Sequence, residues 1–144
     1  MADYYASTRT NYFAVTDEAK FRQLMDKCVG NEDSVDIFEK TDVSTGIKMF
    51  GFGCQSTISG LPIGDDEDAD DYDLNDLYEA LQELIVEGDA VIITEIGYEK
   101  LRYLAGISVI ITRSEIRVIN LRDKALEEAR GMLGDPYYDT QMEY

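Results

Sequence analysis

Three apolar, β-rich runs follow one another late in the chain, at residues 90–96 (AVIITEI), 101–112 (LRYLAGISVIIT) and 116–121 (IRVINL), separated only by short polar breaks. Runs rich in β-branched residues and bounded by turn signals read as strands, and the break at residues 113–115 is short enough for a hairpin. An antiparallel meander is the expected result. A sheet of this kind buries one face under other elements, and 144 residues with 44% hydrophobic content suffice for one core.

Earlier segments supply the covering. Residues 10–15 (TNYFAV) read as a first strand, after which Thr16 is the expected N-cap, with Asp17 and Glu18 in the first turn where the helix dipole favours acids. Phe21, Leu24, Met25 and Cys28 recur at i, i+3, i+4 and i+7, predicting an amphipathic helix that stops near Gly30. Residues 35–39 and 47–52 resemble a hairpin across the turn-rich 42–46 connection. Periodicity then disappears over residues 55–73, an expected irregular loop punctuated by Gly60, Pro62 and Gly64. A second helix is predicted over residues 74–87, with Leu77, Leu81, Leu84 and Ile85 as its buried stripe. A last helix, residues 122–133, places Ala125, Leu126, Ala129 and Leu133 on one face, and a tail from 134 to 144 drapes over the surface. The expected fold is a single α+β domain over residues 1–144. Its antiparallel sheet has five to six strands with two to three helices on one face, in the order β-α-β-β-α-β-β-β-α. Most of Tyr12, Phe13, Tyr78, Tyr98 and Tyr103 are expected in the core.

Charge is distributed very unevenly over this frame. Residues 49–99 carry fourteen of the thirty carboxylates and no lysine or arginine, so most of the net charge of −17 is local. The remainder, with sixteen acids against thirteen bases, is nearly balanced. Such a field attracts cationic surfaces and repels nucleic acid, which argues against direct nucleic-acid binding. No apolar run is long enough to span a bilayer, and the N-terminal residues lack the regions of a signal peptide. The expected location is therefore the cytoplasm, with no membrane partner. Cys28 and Cys54, far apart and without a CxxC spacing, are expected as buried thiols.

Catalytic signatures are sparse. The chain has no histidine, which removes Ser-His-Asp and Cys-His arrangements and histidine metal sites, and it has no phosphate-cradling GxxxxGK[ST] loop. Asp66, Asp68 and Asp70 open like a calcium loop, but Asp71 stands where the turn needs glycine and Leu77 where a bidentate glutamate belongs. Neither an enzyme, a cofactor nor a specific metal site is expected.

The acids themselves form the more informative pattern. Asp65, Asp66, Glu67, Asp68, Asp70, Asp71 and Asp73 crowd one loop, and Asp76, Glu79, Glu83 and Glu87 follow at i, i+3, i+7 and i+11 on the predicted second helix. Their spacing along the axis is about 4.5–6 Å, comparable with successive phosphates on a nucleic-acid strand. Ordinary helix faces mix signs and gain from Glu–Lys pairs, whereas this one has no countercharge. Tyr72, inside the acid run, suits an interface anchor or a stand-in for a base.

Residues 4–15 (YYASTRTNYFAV), 16–21 (TDEAKF) and 98–106 (YEKLRYLAG) resemble a group of small proteins carried by phages and integrative elements of Gram-positive bacteria. Small size and acid excess are also similar to anti-CRISPR and antirestriction proteins of the DNA-mimic type. That resemblance implies an inhibitor acting in a bacterial host cell on a basic nucleic-acid-binding protein, a Cas effector in particular, by blocking target DNA. The candidate partner surface is Asp65, Asp66, Glu67, Asp68, Asp70, Asp71, Tyr72, Asp73, Asp76, Glu79, Glu83 and Glu87. Two alternatives stay open: an acidic protein–protein partner such as an antitoxin or antirestriction protein, and a divalent-cation-binding module. Monomer and homodimer are equally compatible with the sequence.

Overall fold

The structure, a computed structural model, describes residues 4–30, 34–63 and 71–140. In chain order the elements are β1 (Tyr5–Thr10), α1 (Glu18–Lys27), β2 (Val29–Gly30), β3 (Asp36–Thr41), β4 (Lys48–Cys54), β5 (Ile58–Pro62), β6 (Tyr72–Asp73), α2 (Leu74–Leu84), β7 (Val91–Glu99), β8 (Tyr103–Ile111), β9 (Ile116–Asn120) and α3 (Leu121–Leu133). They form an α+β fold in which a six-stranded antiparallel sheet, ordered β3-β4-β1-β7-β8-β9, is joined by a smaller three-stranded sheet, β2-β5-β6. The expected element order holds once the short strands of the second sheet are set aside. No helix among the described residues is long and apolar enough to cross a membrane.

The meander forms as expected, with β7, β8 and β9 paired in unbroken antiparallel register. Residue parity divides its sheet into two faces. Thr8, Thr10, Phe50, Phe52, Val91, Ile93, Val109 and Ile111 point inward and are buried, where Phe13 and Phe21 from outside the strands pack edge-on at 5.7 Å. The two inward threonines are satisfied locally: Thr8 Oγ1 donates to the Ser56 carbonyl at 2.8 Å and Thr10 Oγ1 accepts from Phe52 N at 3.0 Å. Onto this face α1 lays Phe21 and Met25, and α2 lays Leu77, Leu81 and Leu84, all buried. Cys28 and Cys54 are buried free thiols.

Several boundaries depart from the periodicity. The first strand is Tyr5–Thr10, not residues 10–15, because the Asn11 side chain occupies the ladder. Its Nδ2 donates to the Ala90 carbonyl at 3.0 Å and its Oδ1 accepts from Ile92 N at 2.8 Å, leaving Phe13 and Val15 as isolated bridges. Asp17, not Thr16, caps α1 by accepting from Lys20 N. The helix ends at Lys27, and Val29–Gly30 turns into the small sheet.

Residues 55–73 are not wholly irregular. They contain β5 and β6, which pair Leu61 with Asp73 and Pro62 with Tyr72. Gly60 makes that approach possible: its φ is +111°, and a Cβ there would lie 2.5 Å from the Asp73 carbonyl oxygen.

The last helix also differs from expectation. None of its residues is fully buried; of the expected apolar stripe, Ala125 and Leu133 are exposed and Leu126 and Ala129 are partly covered. It packs beside β8 and β9, and Leu121 at its start lies over Gly106 on the sheet face opposite α1 and α2. The helices therefore do not all share one face. Tyr98, expected inside, is 52% exposed because its place in β7 points outward.

Candidate acidic partner surface

The site is built around α2. Its amphipathic sequence fixes the buried side, so Asp76, Glu79 and Glu83 are left on the solvent side and all three are exposed. From Asp76 to Glu83 the stripe extends about 10 Å along the axis. Asp73 starts the helix as its N-cap, accepting from Asn75 N at 2.7 Å and Asp76 N at 3.3 Å, and is half-buried. It therefore orients the stripe and contributes less free charge than its neighbours.

Glu87 does not continue the stripe. α2 stops at Leu84, where Ile85 turns extended and fully buried and bridges Val15. Arg113 holds this end, with Nε donating to the Ile85 carbonyl at 2.9 Å and Nη2 to the Glu83 carbonyl at 3.3 Å. Its guanidinium thus takes main-chain carbonyls at a helix C-terminus. Glu87 sits in the following turn beside Gly88, exposed but off the helix.

At the other end, Asp71 is exposed and its carbonyl accepts from Ile63 N at 3.0 Å. With the β5–β6 pairing, this brings both flanks of the acid run together at the α2 N-terminus. Tyr72, on β6, is 38% exposed. Asp65, Asp66, Glu67, Asp68 and Asp70 lie outside the described residues.

Electrostatically, the described part of the surface is unpaired. No ion pair among the described residues involves Asp71, Asp76, Glu79, Glu83 or Glu87, while Arg22 and Lys48 form a four-membered network with Glu18 of α1 and Glu39 of β3. Not every acid of the base-free segment is free, however. Asp89 accepts from Ala14 N and Ala90 N, both at 2.8 Å, and Glu95 accepts from the Tyr4 hydroxyl at 2.8 Å on the inward face. Burial, then that hydrogen bond, raises the Tyr4 hydroxyl above its ordinary value. These two structural carboxylates were not separable by sequence from the exposed ones.

No group of three or more metal-ligating side chains converges among the described residues. The cavity beneath α2, lined by residues such as Leu77, Tyr78, Glu95 and Val109, is about 60 Å³, small beside the 300–1,000 Å³ of typical ligand pockets. No protein-family model matches the chain, and neither the curated proteins nor the solved structures contain a significant match.

Proposed function

We propose that the protein is a non-catalytic inhibitor that occupies the basic nucleic-acid groove of a CRISPR effector and keeps target DNA out. The observation that carries this reading is the exposed stripe Asp76, Glu79, Glu83 beside Asp71, without an ion pair among the described residues and in a segment free of lysine and arginine. Carboxylates left without internal cations are available to lysines and arginines that otherwise hold phosphates. Each exposed pair contributes only about 0.2–1 kcal/mol, so affinity has to come from many acids together and from an anchor such as Tyr72.

The test is target-DNA binding by purified Cas9-type and Cascade-type effectors, titrated with this protein at low and high salt. Inhibition that competes with DNA and weakens with salt is expected. Asp68→Lys alone should be mild, and the combined Asp66→Lys, Asp71→Lys, Asp68→Lys and Glu79→Lys protein should be severely impaired while its circular dichroism is unchanged. Equal inhibition by the folded quadruple variant would refute mimicry. Tight binding to a basic protein without DNA competition would instead favour the antitoxin-like partner.

A further inference from the structure

Among the described residues, the sheet face turned away from α1 and α2 is covered only at its β8–β9 side, where α3 begins with Leu121 over Gly106. Outward positions on β1, β7, β8 and β9 are Tyr5, Ser7, Arg9; Ile92, Thr94, Ile96, Tyr98; Leu104, Gly106, Ser108, Ile110; and Arg117, Ile119. Not one is a carboxylate, in a chain with thirty. Solvated faces of an acidic protein carry acids. This one instead gathers Tyr5, Ile96, Tyr98 and Leu104, between 52% and 67% exposed, with Leu121 at 63% and Leu101 at 86% on the β7–β8 turn.

These six side chains are contiguous. Tyr5 and Tyr98 have ring centroids 5.8 Å apart, Leu104 stands opposite Tyr98 and Ile96 opposite Gly106, and a groove of about 630 Å³ is lined by Ile96, Tyr98, Leu101, Leu104 and Leu121. Together they expose on the order of 800 Å², above the 300–600 Å² of the largest patch on a typical monomer and close to the share each partner contributes to a standard interface.

We infer that this face is the interface of a homodimer. Area alone does not select the occupant; charge does. A basic partner is drawn by the field toward the α2 side, whereas the outward positions of β1, β7, β8 and β9 offer two arginines and no acid to attract it, the one outward carboxylate of this sheet among the described residues being Asp36 on the edge strand β3. A second copy meets the opposite condition, since two chains of net charge −17 approach with least repulsion through the patch on β1, β7 and β8, whose outward positions hold no carboxylate. In that arrangement each α2 lies on the far side of its own sheet. With layers spaced about 10 Å, the two acid stripes are roughly 30 Å or more apart, several Debye lengths at physiological salt. The exposed Leu101 knob and the groove beside it occur on the same patch, as an isologous two-fold contact requires. The dimer stands independently of the inhibitor reading, and places one acidic surface on each end of the assembly.

Sedimentation equilibrium of the full chain at tens of micromolar tests it, repeated at low and high salt. The expected mass is twice that of the chain and is held or strengthened as salt rises, because burial of apolar area survives screening and the residual repulsion does not. Ile96→Lys with Leu104→Lys buries four unpaired charges per dimer and should raise the dissociation constant by ~100-fold or more, with circular dichroism unchanged. Leu104→Ser, which adds no charge, should weaken the dimer measurably and decides the matter if the double variant does not fold. A monomeric wild type at both salts, or folded variants that dimerise as well as wild type, would overturn the inference.

Discussion

Changing Asp76, Glu79 and Glu83 together to amides, D76N/E79Q/E83Q, removes three charges from α2 with almost no change of shape. The three side chains are exposed and outside any ion pair among the described residues, so the effect on folding is a balance of small terms. Asp76 in the first turn gains about 0.3–1 kcal/mol from the helix dipole, which the amide gives up. Against this, the like-charge neighbours Asp76–Glu79 and Glu79–Glu83, at i+3 and i+4, each cost about 0.2–0.5 kcal/mol that the amides relieve. The terms cancel, and urea melts of variant and wild type should superpose to within about 0.5 kcal/mol. Binding is not balanced in this way. If each carboxylate meets one cation of the effector, the triple variant loses about 0.6–3 kcal/mol, a roughly 3- to 150-fold weakening. Asp73 supplies the contrast: Asp73→Ala removes the two cap hydrogen bonds and should cost about 1 kcal/mol of stability, while Asp73→Asn keeps the cap and should not. The assay pairs urea unfolding, followed by circular dichroism, with titrated inhibition of an effector that wild type inhibits. Undiminished inhibition by the folded triple variant would mean that the stripe only solvates the helix, and a triple variant destabilised by more than about 1 kcal/mol would contradict its unpaired state.

Leu81→Ala, at a fully buried position facing the sheet, should cost about 2–5 kcal/mol in urea unfolding, and a loss below about 1 kcal/mol would place Leu81 outside the core. Gly60→Ala forces a Cβ onto the Asp73 carbonyl at a positive φ and should destabilise by about 1–3 kcal/mol or more; hydrogen exchange at the α2 N-terminus checks that the damage starts there. Burial, and secondarily Cys54, raises the Cys28 thiol from 9.0 to about 12. The fold therefore favours the neutral thiol, and the stability this contributes is fully present below the unfolded value. It should drain away by about 1.4 kcal/mol per pH unit as pH rises from 9 toward 12. Cys28→Ala should flatten the dependence between pH 9 and 10, before unfolded-state tyrosines ionise, and a slope equal to that of wild type would assign the loss elsewhere.

The helices and strands that were legible in the sequence are those whose burial is periodic along the chain. Leu77, Leu81 and Leu84 declared the inner side of α2, and the runs around Val91, Val109 and Ile119 declared the meander. β5 was not legible because its Ile-Ser-Gly-Leu-Pro has no alternation and pairs through its backbone beside Gly60. The apolar stripe of α3 misled for a different reason. Periodicity identifies which side of a helix is apolar but carries no information on whether anything lies against it. The end of α2 was likewise decided by partners distant in sequence, Val15 bridging Ile85 and Arg113 binding the carbonyls of Glu83 and Ile85, and this moved Glu87 off the stripe.

By itself, the sequence determined the α+β class, the leucine face of α2 and the segregation of fourteen acids into a stretch without a base, since each is a local property of residue type and spacing. Only the tertiary structure decided which of those acids remain free. Inserting β1 between β4 and β7 brings Tyr4 to Glu95, and the Phe13 and Val15 bridges carry Ala14 to Asp89. Those contacts span 91 and 75 residues, and their formation depends on the pairing of non-consecutive strands, which no local pattern encodes.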